Sequence, residues 1–271
     1  MEKITFIHIL KNELVVALGC TEPVAIALAA AKARTYVTGD IARITVHASA
    51  GIIKNALAAG IPGTNLTGID FVAALGAIAG NADKQLEVLA DIQPDDIVLA
   101  QSMVDKGTSV FQLADTTKKL YIEVIVETGT SSSKVVITDN HTNITLVEVD
   151  GQVLESGGCA SPNFKSSKED RNELTIDGIV DFVNTVELEE LDLVKQSIVL
   201  NRKAGLDGLA NSYGLEVGKT IKENVKKGIL PDDLISHAMS LAAAGSDARM
   251  AGSTMPVMAN SGSGNQGIAA T

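Results

Sequence analysis

The chain is expected to fold as α+β: a mainly helical body carrying an inserted lobe with a mostly antiparallel sheet. Ala-rich helical segments dominate its first part. Val-, Ile- and Thr-rich segments fill residues 108–149, and helical patterning returns from Thr175 onward. Apolar residues make up 45% of the 271-residue chain, yet there is no Trp and aromatics are only 3%. The core must therefore be built from Ala, Val, Ile and Leu, and such small side chains let helices approach closely. On this pattern residues 1–38 and 174–271 form the helical body, and residues 39–173 form the α+β lobe.

In order, Ile4 to Leu18 predicts a first helix, with Ile7, Leu10, Leu14 and Val15 on one face. Glu22 to Val37 predicts a second, Ala-rich helix, with Thr21 as its N-cap and Pro23 in its first turn. Ile41 to Ala48 alternates as a strand. Gly51 to Ala59 reads as a helix stopped by Gly60 and the Ile61-Pro62-Gly63 turn. Ile69 to Ala79 and Leu86 to Leu89 are helical, and Pro94 opens a further helix to Asp105. Thr108–Leu113, Leu120–Glu127, Lys134–Thr138 and Ile144–Val149 read as an antiparallel meander joined by the strand at 41–48. Gly129-Thr130-Ser131-Ser132 and Asp139-Asn140 supply its turns. The polar stretch Gly151–Glu173 reads as an exposed crossing between lobes. Helices are expected over Ile176–Thr185, Glu187–Tyr213, Val217–Val225 and Pro231–Ala244, the last with Asp232 and Asp233 in its first turn. Met255–Gly267 reads as a small-residue loop. Ile268–Thr271 reads as the opening turn of another helix, which leads us to expect an N-terminal portion of a longer protein.

A formal net charge of −11 and a sequence pI near 4.8 argue against a nucleic-acid partner. No apolar stretch reads as a membrane span, and Met1–Leu10 lacks the pattern of a signal peptide. Two cysteines, Cys20 and Cys159, are too few for a disulfide framework. A cytoplasmic protein with reduced thiols is the expectation.

Chemistry concentrates in a few places. In Gly19-Cys20-Thr21-Glu22-Pro23 a thiol sits at a helix start, where the helix dipole favours the thiolate. The other reading is a small buried cysteine at a helix corner. In Ser261-Gly262-Ser263-Gly264-Asn265-Gln266-Gly267 the glycine spacing matches a dinucleotide fingerprint, but no strand is expected before it and no βαβ unit follows. Freed backbone N–H groups with Ser and Asn side chains ahead of a helix instead suggest an anion cradle, against a plain flexible loop. Asp247 and Arg249 could orient a zwitterionic substrate, or could be an ordinary ion pair at a helix end. Lys54-Asn55, followed by Gly60–Thr64, adds a charge to an anion site or is a solvated surface lysine. His8, His47, His141 and His237 are isolated and lack metal-ligand spacing; His47 and His237 read as structural. Cys159 reads as incidental. No Gly-x-Ser-x-Gly elbow supports a serine hydrolase.

Taken together, Leu18-Gly19-Cys20-Thr21-Glu22-Pro23-Val24-Ala25, Lys54-Asn55-Ala56 with Gly60–Thr64, Asp247-Ala248-Arg249-Met250, Pro256-Val257-Met258 and Ser261–Gly267 resemble the L-cysteine desulfidase family. That family is related to the iron–sulfur L-serine dehydratase α chain. The resemblance implies a lyase with an oxygen-sensitive 4Fe–4S cluster, one iron of which acts as Lewis acid on the β-substituent of a small amino acid. The products would be pyruvate, ammonia and sulfide or water. It implies Cys20 as a cluster ligand, with Cys20 and Glu22 catalytic. Thr21, Lys54, Asn55, Asp247, Arg249, Ser261, Gly262, Ser263, Gly264 and Asn265 would bind substrate. The family's remaining cluster cysteines lie in a C-terminal stretch this sequence does not contain. The resemblance therefore implies a chain inactive by itself, with that segment, or further copies of the chain, as partners. The alternatives are a non-catalytic amino-acid-binding or regulatory protein of the same fold, and a nucleotide-binding oxidoreductase resting on the glycine loop alone.

Overall fold

The structure, a computed structural model, describes residues 3–156 and 174–271. Cys159 and the residues around it, 157–173, lie outside the described part.

The expected α+β architecture is present. Helix α1 (Lys3–Glu13) is followed directly by strand β1 (Leu14–Leu18) and helix α2 (Thr21–Arg34). Strand β2 (Ile41–Ala48), helices α3 (Ala50–Ala56) and α4 (Ile69–Ala79), a 3₁₀ turn (Ala82–Glu87) and α5 (Pro94–Asp105) come next. Strands β3 (Ser109–Leu113), β4 (Tyr121–Thr128), β5 (Ser132–Thr138), β6 (Ile144–Val149) and β7 (Gln152–Ser156) complete a six-stranded sheet of order β3-β2-β4-β5-β6-β7. Its pairings are antiparallel except β2–β3, which is parallel. The exception follows from the connection: a crossover through three helices returns the chain alongside β2 in the same direction, whereas tight turns reverse it.

Helix α2 is buried along almost its whole length because its side chains are nearly all Ala, Val, Ile or Leu. It packs on the sheet face formed by Ile44, Val46, Ile122, Val124, Val126, Val135 and Ile137. It also packs on α4, where Gly76 allows the closest approach. A Cβ at Gly76 would stand 2.5 Å from the Ala27 carbonyl oxygen, so only glycine fits.

The C-terminal helices are α6 (Ile176–Thr185), a 3₁₀ turn (Leu188–Leu191), α7 (Asp192–Ala210), α8 (Val217–Lys226) and α9 (Leu234–Met250). Strand β8 (Pro256–Asn260) and helix α10 (Gly264–Ala270) follow. β8 pairs antiparallel with β1, from Leu14 opposite Asn260 to Leu18 opposite Pro256. This two-stranded ribbon ties the front of the chain to its back and positions the site described below.

Several expectations need correction. The first helix stops at Glu13, because Leu14–Leu18 is rich in Val and Leu and finds a strand partner in β8. Cys20, not Thr21, occupies the N-cap of α2, with extended backbone and no side-chain cap; Thr21 is the first helical residue. Gln152–Ser156, read as part of a polar crossing, is an edge strand. α7 ends at Ala210, and α9 starts at Leu234 and runs on to Met250. Asp233 is the N-cap of α9 and accepts a hydrogen bond from the Ser236 amide at 2.8 Å; Asp232 precedes the helix. A strand, β8, does precede the glycine loop. Its partner is antiparallel β1, so the loop still does not belong to a βαβ dinucleotide unit.

Candidate functional site

β1 ends at Leu18, and Gly19 turns the chain into α2. Its φ of +69° is a left-handed value that favours glycine, and a Cβ there would stand 2.3 Å from Pro62 Cγ. The turn delivers Cys20, Thr21 and Glu22. On the neighbouring strand, Ser261 (φ +50°) and Gly262 (φ +77°) make the left-handed turn from β8 into α10. Because β8 is registered on β1, the two turns meet: Thr21 Oγ1 lies 3.5 Å from the Gly262 carbonyl oxygen. The end of α9 brings in Arg249, whose Nη1 donates to Asn265 Oδ1 at 3.0 Å. α3 brings in Asn55, whose Nδ2 donates to Glu22 Oε1 at 2.8 Å.

Cys20, Thr21, Glu22, Lys54, Asn55, Arg249, Gly262, Ser263 and Asn265 thus line one cavity of about 410 Å³. The front and back motifs of the sequence share a pocket.

The profile of the family described as serine dehydratase alpha chain matches residues 83–271. The chain belongs to the serine dehydratase alpha chain family. UPF0597 proteins resemble it along nearly its whole length. That of Dichelobacter nodosus is 38% identical over 261 residues, 96% of this chain and 60% of that protein. That of Photobacterium profundum is 40% identical over 269 residues, 98% of this chain and 62% of that protein. That of Aeromonas salmonicida is 41% identical over 267 residues, 98% of this chain and 61% of that protein. The chain therefore spans 60–62% of the length of these relatives. No solved structure matches it.

In this member of the serine dehydratase alpha chain family the pocket is electrically divided. Glu22 Oε2 accepts from Cys20 Sγ at 3.0 Å and from Thr21 Oγ1 at 3.1 Å, and Oε1 is taken by Asn55. Burial alone would raise its pKa. The donors from Cys20 and Asn55 outweigh it and hold the carboxyl below the usual glutamate value, so Glu22 is a fixed anion. Burial, reinforced by the Glu22 charge, pushes the Cys20 thiol up to about 12. This reverses the expectation of a thiolate: loss of solvent outweighs the helix dipole, an effect of about 0.3–1 kcal/mol at an ordinary helix end. Arg249 is only 4% exposed, and its Nε is buried without a hydrogen-bond partner. Burial lowers its pKa and the facing Cys20 and Glu22 raise it; a guanidinium stays charged throughout.

Three predicted residues stand apart from the cavity wall. Asp247 Oδ2 accepts from the Gly218 amide at 3.1 Å, so this carboxylate caps the start of α8. Ser261 is exposed, and its hydroxyl donates to Asn260 Oδ1 at 3.0 Å. Gly264 lies against the Arg249 side chain, where a Cβ would stand 2.2 Å from Nε; its role is to leave the guanidinium room. Ser263 lines the cavity while its hydroxyl caps α10 by accepting from the Gln266 amide at 3.3 Å.

One residue beside the cavity, though not in its lining, escaped sequence reasoning. His141 sits in the turn between β5 and β6, and its Nδ1 is 3.8 Å from where a Cβ of Gly262 would stand. Burial lowers its pKa, with Glu22 pulling it up and Arg249 pushing it down. No spacing rule flags it, because only the hairpin brings residue 141 to residue 262. His47 pairs with Glu123 at 2.9 Å and His237 with Asp232 at 2.6 Å, both away from the pocket. Among the described residues no group of three or more His, Cys, Asp or Glu could hold a metal ion. Among them, too, no helix is long and apolar enough to cross a membrane.

Proposed function

We propose that the chain is the amino-acid-binding part of a lyase of the L-cysteine desulfidase or L-serine dehydratase type. Such an enzyme eliminates the β-substituent of a small amino acid to give pyruvate, ammonia and sulfide or water. One observation carries the reading: a buried guanidinium and a hydrogen-bonded carboxylate line a single cavity that also holds a thiol. An α-amino acid is the complementary ligand. Its carboxylate would lie toward the Arg249 guanidinium, beside Asn265, Gly262 and Ser263, and its ammonium would lie against Glu22. Lys54 and Asn55 are exposed and form the rim.

An iron–sulfur cluster is held by several thiolates. The described residues offer one at this site, Cys20, so by itself this donor set does not hold a cubane. Cys20 fits as one ligand in the pocket wall, and the others would come from outside the chain, from a further segment or another copy. When bound, the cluster supplies a Lewis acid for the β-substituent. The reading also takes the protein as cytoplasmic, with a small amino acid and neither nucleic acid nor membrane as its partner.

Isothermal titration calorimetry with L-serine and L-cysteine tests the binding half of this reading. Both should bind the wild-type chain, and Arg249→Met should weaken binding at least tenfold. Absence of binding by either amino acid overturns it. Cys20→Ser separates the lyase from a non-catalytic binder: sulfide or pyruvate release by the cluster-loaded protein should vanish, while amino-acid affinity stays within about threefold.

A further inference from the structure

We propose that the trough between the first halves of α7 and α9 is the docking site of a further apolar helix, laid in line with α10. The inference goes beyond the amino-acid site and does not depend on it. Gly205 meets Leu241 and Gly208 meets Ala244, so α7 and α9 run parallel and keep step with each other. α10 lies along the seam between them and runs the other way. On the α9 side, Asn265 meets Arg249 and Ile268 meets Gly245. On the α7 side, Ile268 clusters with Ala204, and Thr271 Oγ1 accepts from Asn201 Nδ2 at 2.8 Å. As α10 advances, its partners on both helices step back toward their N-termini.

The line of α9 that α10 covers is Arg249, Gly245 and Ala242. At helical spacing the same line continues through Ala238 and Ile235. There it comes into the open. Ala238 is exposed, Ile235 is 68% exposed and flanked by exposed Leu234 and Met239, and Ile198 is exposed on the α7 side. The cover ends with α10, and contiguous apolar surface follows. α10 has seven residues, below the length at which a helix stands by itself. A helix that prolongs its line therefore gains stability from α10 as well as from the trough. The relatives are long enough to carry such a segment, since this chain spans 60–62% of them. The occupant is thus an amphipathic helix, antiparallel to α7 and α9, with Leu, Ile, Val or Ala every three or four residues on one face. Once seated it would also steady the cavity, because the first turn of α10 holds Arg249 through Asn265.

The test extends the full chain past Thr271 with an Ala-, Glu- and Lys-based helix of about four turns. In one version Leu sits every three or four residues on the line of Ile268 and Thr271. In the other the same leucines are spread round the helix. The patterned extension should raise the melting temperature by at least about 3 °C. It should also slow amide exchange at least about tenfold in the first two turns of α9. The spread version should do neither. Ile235→Asp, at an exposed position, should cancel the gain, whereas Ile176→Asp on the apolar face of α6 should leave it. Equal gains from both versions, no gain from either, or protection on α6 in place of α9 overturns the proposal. Sedimentation of the unextended chain tests the rival occupant, a second copy. A monomer agrees with the proposal, and a dimer that Ile235→Asp dissociates assigns the trough to self-pairing and overturns it.

Discussion

The two halves of the molecule are both helix-rich, yet they are held together differently. In the first, α2 and α4 pack on the sheet in one continuous apolar cluster running from Ala17 to Val147 and joined by Ala259. In the second, among the described residues, the comparable cluster is Ala204, Val257 and Ile268, and polar contacts and glycines carry the assembly. Buried Asn201 bridges α7 to β8 by accepting from the Met258 amide at 2.9 Å and donating to its carbonyl at 3.2 Å. Ser240 donates to the Gly218 carbonyl at 2.8 Å, and Ser253 to Asp207 at 3.0 Å. Gly208 and Gly218 bring α7 and α8 against α9 at Ala244, where a Cβ would stand 1.9 and 2.3 Å from backbone atoms. Meanwhile the apolar stripe of α6, Ile176, Ile179, Val180 and Val183, faces solvent, and its Phe182 stacks on Phe6 at 4.7 Å. Hydrophobic patterning predicts a helix equally well in both halves. It does not say whether the patterned face is buried within this chain.

The sharpest way to break this comparison is a pair of truncations. Ile26→Ala in α2 should lower stability by about 2–5 kcal/mol, because the side chain is fully buried and leaves a cavity. Ile176→Ala in α6, where the side chain is 81% exposed, should change it by less than about 0.5 kcal/mol. Denaturant titration of both variants reads the difference. Equal effects would mean that α6 is buried in solution and that the contrast between the halves is wrong.

Asp247 offers a smaller but more selective test. Its carboxylate satisfies an amide in the first turn of α8, a capping role played from the adjacent helix. Asp247→Ala should cost about 0.5–2 kcal/mol of stability, the usual worth of a cap. It should leave L-serine affinity within about twofold. Lost affinity in a variant of near wild-type stability would return Asp247 to the substrate site.

These residues also show what could be read in advance. Helices α4 and α5 and strands β2 and β6 match their expected bounds, because each has clear periodicity and is punctuated by Gly, Pro or turn residues. β1 and β8 were illegible. Leu14–Leu18 continues a helical pattern and Pro256–Asn260 lies among small residues, so each becomes a strand only because it finds the other across the chain. That the cysteine turn and the glycine loop share one cavity was legible, since each sets polar groups at a helix start. His141 was not, because a hairpin tip carries no periodic signal. The separation of Asp247 from Arg249 was available and missed: residues two apart on a helix do not share a face. Once α9 is carried through to Met250, one points at α8 and the other at the pocket.

The smallest expected effect lies at the other end of α9, in the second half's reliance on polar contacts. The Ser236 amide donates to Asp233 and holds its carboxyl below the usual aspartate value, helped by nearby His237. A carboxyl with a depressed folded-state pKa contributes stability above its unfolded pKa, near 3.9, and loses that contribution as the pH falls through the lower folded value. Asp233→Asn keeps a capping oxygen but cannot titrate. The wild type should therefore lose stability more steeply than the variant between about pH 4 and pH 3, and the two should run parallel above about pH 5. Thermal melts across that range read the slopes. Identical slopes would mean that this cap does not couple to protonation, and that the second half's polar contacts hold by geometry rather than charge.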